Sequence, residues 1–182
     1  MMPGLDSLDD RRLRRLSRIL AAASLLLAVG LPLAVIWLWW AEDPVLLLSR
    51  LAGVESGARP GGWQVLGATV VNLIPTLVLS AALVAAGRCF RCFAEGSYLS
   101  HPAASALRHF GQRVAIAAGL GLILPTALGL LLTLDAAPGE RLLILSVGST
   151  PLLGLLFGGM VWAIGAVMAR AAVLADEHAQ IV

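Results

Sequence analysis

The chain has 182 residues, 59% hydrophobic and 13% charged, with a net charge of +2 and a mean hydropathy of +0.88. A soluble domain is usually about 45–50% apolar and about 25% charged, and a small chain this apolar cannot hide its surface from water in one core; it needs lipid. The near-neutral balance, with no basic arm interleaved with aromatics, argues against direct binding of nucleic acid.

Arg11, Arg12, Arg14, Arg15 and Arg18 precede the first apolar run, which extends from about residue 19 to residue 40. That meets the roughly 20 residues a helix needs to cross a hydrocarbon core. It exceeds the ~7–15 residues of a signal-peptide core, with no A-x-A site after Trp40, so a retained first helix is expected. Next, "EDPVLLLSRLAG" offers Asp43 as N-cap, Pro44 at the first helical position and Gly53 just past the end. Leu47, Leu48 and Leu51 share one face, which predicts a short helix lying on the outer membrane surface.

The second span covers about 65–86, the third about 114–134 and the fourth about 142–169, and none has a charged residue inside. The short turn "DAAPGER" makes the last two antiparallel neighbours. Continuous rather than alternating apolar runs select helices over a closed barrel. The predicted fold class is all-α: one domain, an integral membrane bundle of four transmembrane helices. Most arginines, including Arg88, Arg91, Arg108, Arg113 and Arg170, fall on one side; Arg50, Arg59 and Arg141 fall on the other. The positive-inside rule then places both termini and the middle loop in the cytoplasm. Trp37, Trp39, Trp40 and Trp63 fall where an outer aromatic belt would sit. Each span also carries a proline: Pro32, Pro75, Pro125 and Pro151. Such prolines shape a bundle more often than they move it.

The stretch "RCFRCFAEGSYLSHPAASALRHFGQR" holds both cysteines and two of the three histidines. Zinc needs about four ligands. Cys89 and Cys92 share a helix face, but His101 and His109 are roughly 12 Å apart along a helix axis. A site would need His101 or His109 plus Glu95 or His178, so Cys89, Cys92 and His101 are weak metal candidates and no cofactor is expected. The cysteines close a helix, where the dipole opposes a thiolate, so redox catalysis is not expected. No ionisable group inside a span points to ion coupling. Asn72, helped by Thr69, Thr76 and Ser80, is the most polar spot, and Asn72 with Thr76 is a possible buried polar contact. With no catalytic set in view, no enzyme is expected. Gly154-x-x-x-Gly158 and Ala117-x-x-x-Gly121 allow close helix approach, first within the bundle, with a homo-oligomer through Gly154 and Gly158 as the other use.

Ser100 suits an N-cap with Pro102 in the first turn. Leu107, Phe110, Gly111 and Val114 then share one face while Arg108, His109 and Gln112 share another, an amphipathic lead into the third span. "EGSYLS", with Gly96, Leu99 and Ser100, and "LRHFG", with Leu107, Arg108 and Gly111, together with this layout resemble domain-of-unknown-function family 2975, bacterial four-helix membrane proteins. The tail "MARAAVLADEHAQIV", with Leu174, Asp176, Glu177, Ile181 and Val182, is similar to that family's ending. Ala103 stands where the family usually has Asn, and His178 and Ile181 replace the commoner Asn and Thr. The resemblance implies a bacterial inner (cytoplasmic) membrane protein, often accompanied by a small helix-turn-helix regulator. On that reading Arg108, His109, Gln112, Leu174, Asp176 and Glu177 face a cytoplasmic regulator protein, in a non-catalytic sensing or interaction role. A small permease or immunity protein for an apolar compound, its path lined by Asn72 and the proline-bearing spans, is the alternative.

Overall fold

The computed structural model describes residues 5–41, 43, 61–97, 100–132 and 148–179, with side chains at 11–41, 43, 61–97, 100–131 and 148–174. The predicted outer-surface helix at 43–53, the turn "DAAPGER" and the side chains of Asp176, Glu177 and His178 lie outside these; Asp43 itself is exposed.

Four helices make up the described chain: α1 (Leu5–Ala41), α2 (Gly62–Ala94), α3 (His101–Leu132) and α4 (Ser149–Ala179). All four are long and apolar enough to cross a membrane, so the chain is a multi-pass membrane protein. Each helix outruns its predicted span at the arginine-bearing end. Arginine, leucine and alanine are strong helix formers, so the backbone continues through the charged residues where the apolar pattern stops. α2 starts without a side-chain N-cap at Gly61; instead the Gln64 side-chain oxygen accepts the Gly61 N–H at 2.8 Å, satisfying one of the donors a helix start leaves open.

Extended contacts join consecutive helices only: α1 with α2, α2 with α3, and α3 with α4. Helices α1 and α4, which a closed square bundle would place side by side, share no extended contact among the described residues. Their outer faces carry large exposed apolar side chains, among them Leu26, Trp37 and Trp40 on α1 and Leu153, Leu156 and Val167 on α4. In lipid such surface costs nothing.

The interior is built from small residues. Ala68, Ala82 and Ala103 are fully buried and Ala85 and Ala104 nearly so. At the α3–α4 contact a Cβ on Gly111 would fall on the backbone nitrogen of Trp162, and one on Gly158 would lie 2.6 Å from the Ala115 nitrogen. A Cβ on Gly165 would lie 2.7 Å from the Arg108 nitrogen, and one on Gly154 2.9 Å from the Ala118 Cβ. These matches run in opposite directions along the two helices, so α3 and α4 are antiparallel with their backbones touching. Gly154 and Gly158 are thus occupied within one chain.

Three sequence expectations change. Pro151 is the third residue of α4, not a mid-span kink. There its missing N–H would have no intrahelical partner anyway; among the described residues, Pro32, Pro75 and Pro125 are the ones in helix interiors. Trp39 does not join an exposed belt: at 6% exposure it packs with Ala68 and Leu128 between α1, α2 and α3. Trp37, Trp40 and Trp63 are exposed as a belt requires.

The third change is at Arg113. It lies inside α3, and its Nη1 donates to the Ala81 carbonyl oxygen of α2 at 2.7 Å, within the predicted second span. That point is about 10.5 Å deeper than Arg88, at 1.5 Å per residue. A cation is tolerated at such a level when a backbone carbonyl takes its charge.

Candidate functional site

The turn between α2 and α3 sets the geometry of the arginine-bearing end. α2 closes on Glu95 as C-cap, with Gly96 beyond it at φ 83°, a left-handed conformation that glycine adopts at no steric cost. The Gly96 N–H donates to Phe93 O at 3.1 Å and the Ser97 N–H to Cys92 O at 3.0 Å, the paired bonds of a Schellman ending. The Ser97 hydroxyl also donates to Cys92 O. Ser100 then caps α3: its Oγ accepts the Ala103 N–H at 3.4 Å and donates to Ser97 O. The expected loop is therefore a six-residue connection, and "HPAASALRHFGQR" is unbroken helix.

Above this turn the Arg14 guanidinium lies over Gly96, 3.3 Å from where a Cβ would stand. Gly87 faces Ala21 and Leu25 of α1, and Arg108 abuts Gly165 of α4. The N-terminal part of α1, the α2–α3 turn and the C-terminal part of α4 thus share one end of the molecule. Arg11, Arg12, Arg15, Arg18, Arg88, Arg91, Arg108 and Arg170 are all exposed there.

The predicted partner-facing residues divide. Arg108, His109 and Gln112 are exposed and Gly111 is buried, while Leu107, Phe110 and Val114 are half-buried; the Arg108 backbone lies on the same α4-facing stripe as Gly111. Arg108 and Leu174 line one cleft between α3 and α4 together with His101, Trp162, Arg170 and Val173. The Arg108 guanidinium lies 6.0 Å from the Trp162 ring centroid, within cation–π range. The first residues of α3 and the start of the tail therefore meet, as a shared surface requires.

The weak metal candidates point elsewhere. Cys89 is buried and Cys92 half-buried. Cys89 lines an apolar cavity of about 290 Å³ with Leu20, Ser24, Phe90, Phe93 and Phe110, whereas His101 lines the α3–α4 cleft. Among the described residues no three His, Cys, Asp or Glu side chains come together. Phe90 and Phe93 pack edge to face, centroids 6.5 Å apart, and wall off the Cys89 side.

Asn72 and Thr76 touch, but through the helix itself. The Thr76 hydroxyl donates to the Asn72 backbone carbonyl at 2.9 Å, and the Thr69 hydroxyl to Val65 O at 2.8 Å. Such back-bonding satisfies a hydroxyl inside a helix. Thr76 also borders a cavity of about 340 Å³ with Pro75, Gly121, Thr150 and Pro151; Asn72 does not line it. The residues that sequence reasoning passed over are Trp162, Arg113 and Gly165. Trp162 and Gly165 enter no motif named above, and Arg113 falls outside the predicted third span; Gly165-x-x-x-Ala169 has the small-residue spacing that could have flagged Gly165.

No family model, curated protein or solved structure matches the chain.

Proposed function

We propose that this protein is a non-catalytic sensing or interaction component of a bacterial inner membrane, working through its arginine-bearing end on the cytoplasmic side. The observation that carries the reading is the meeting of the α3 start with the C-terminal part of α4 in one cleft, beside the exposed Arg108, His109 and Gln112. The arginine distribution supports the orientation through the positive-inside rule. The resemblance to family 2975 supports the kind of partner, a small cytoplasmic regulator. Its motif residues Gly96, Ser100 and Gly111 build the turn and the α3–α4 contact, so they make the surface without being its recognition groups. Photocrosslinkers placed in cells at His109, Gln112 and Leu174 test this. All three should capture the same protein, an exposed control at Leu156 should not, and deleting Leu174–Val182 should abolish capture. Persistence of both capture and signalling after that deletion would overturn the reading.

The cavity beside Pro75 and Pro151 keeps the second reading in play, a permease or immunity protein for an apolar compound. Filling it with Thr76→Leu should then change compound tolerance; unchanged tolerance and transport would remove that reading.

A further inference from the structure

We infer that the cleft between α3 and α4 at the arginine-bearing end is a binding site for an anionic phospholipid, with the phosphate held by Arg108, Arg170 and His101 and the acyl chains laid along Trp162 and Val173. The inference goes beyond the regulatory reading: it requires only that the chain sits in a membrane, and it stands whether or not a protein partner exists.

The cleft measures about 650 Å³; its titratable lining residues are Arg108, Arg170 and His101, and among the described residues no carboxylate lines it. Its other walls are apolar: Trp162, Ala166, Ala169, Val173 and Leu174. A basic mouth on an apolar slot matches an amphiphile with an anionic head. A soluble phosphate would leave the apolar walls uncovered, and a zwitterionic lipid would set its own cation against the arginines.

The geometry is built rather than accidental. Arg108 follows His101 by seven residues, two turns on the same helix face, about 10.5 Å along the axis. Gly165 lets the Arg108 backbone touch α4, and the Trp162 ring at 6.0 Å holds its guanidinium. Arg170 comes from α4, so two helices each contribute a cation to one opening. Basic pockets between transmembrane helices commonly take anionic head groups in this manner. Arg113 plays no part, being turned towards α2 by its bond to Ala81.

The test is native mass spectrometry of the full chain released from nanodiscs containing equal amounts of phosphatidylglycerol and phosphatidylcholine. The wild type should retain phosphatidylglycerol in preference. Retention should fall about fivefold per arginine removed in Arg108→Gln and Arg170→Gln, and about thirtyfold in the double variant. Arg91→Gln, an exposed arginine of the same end outside the cleft, should retain lipid as the wild type does. Trp162→Leu should weaken retention without abolishing the preference for an anionic head. Glycerol phosphate, sharing the head-group chemistry without acyl chains, should not compete. Equal retention of the two lipids, loss in Arg91→Gln matching the double variant, or full competition by glycerol phosphate would each overturn the site. So would unchanged retention in a double variant whose thermal unfolding matches the wild type, the outcome expected if the cleft holds a protein segment instead.

Discussion

Gly111 and Gly158 touch the opposing helix through backbone atoms, so a single methyl there must push α3 and α4 apart. Gly111→Ala and Gly158→Ala should each cost about 1–3 kcal/mol, the usual cost of overpacking, read as a lower unfolding midpoint in detergent. Gly159 and Gly30 have nothing within 4 Å of a Cβ. Alanine there should be neutral or gain up to about 1 kcal/mol from helix propensity. Arg113 offers a second test. In Arg113→Gln the side chain is too short to reach Ala81 O, and losing a hydrogen bond from a charged donor costs about 1.5–3 kcal/mol. Arg113→Lys should recover only part, since a compact ammonium replaces the planar fork; an unchanged midpoint in the Gln variant would show that the bond braces nothing. At this scale the sequence was half legible. Gly154-x-x-x-Gly158 was visible as a close-packing motif, but its partners Gly111 and Ala115 stand on another helix, and no local pattern announces them. Arg113 was misplaced because a composition boundary marks where apolar residues stop and ignores how far a long side chain reaches.

At the scale of elements, the helices were visible and their ends were not. The N-terminus of α3 was legible because Ser100 and Pro102 are local signals, and the Ser100 cap is seen. Ser100→Ala should cost about 0.5–2 kcal/mol, and hydrogen exchange should quicken at the first amides of α3 while α4 is unaffected. The start of α4 was not legible: apolar residues at 142–147 extend the predicted span, yet Gly148 is not helical and Pro151 falls in the first turn. Hydropathy has no term for that. Of the predicted apolar face of α3, Gly111 is buried and Leu107, Phe110 and Val114 are half-buried, while Ala103, Ala104 and Ala106 are buried. Small residues contribute little to a hydrophobic pattern and much to helix approach.

For the whole molecule, length and apolarity gave the four membrane-spanning helices, but pattern alone cannot say which of them touch. Consecutive pairing leaves α1 and α4 with no extended contact among the described residues, and their apolar outer faces suit a lipid surround. The same pairing brings the N-terminal part of α1, the α2–α3 turn and the C-terminal part of α4 to one end, and the proposed regulatory role depends on that end facing the cytoplasm. Single-cysteine labelling in cells, in a Cys89→Ser, Cys92→Ser background, tests it most directly. A membrane-impermeant maleimide should label Asp43→Cys and Gly148→Cys in intact cells, and should label Ser97→Cys and His109→Cys only after the membrane is opened. Labelling of Ser97→Cys or His109→Cys in intact cells would contradict the account.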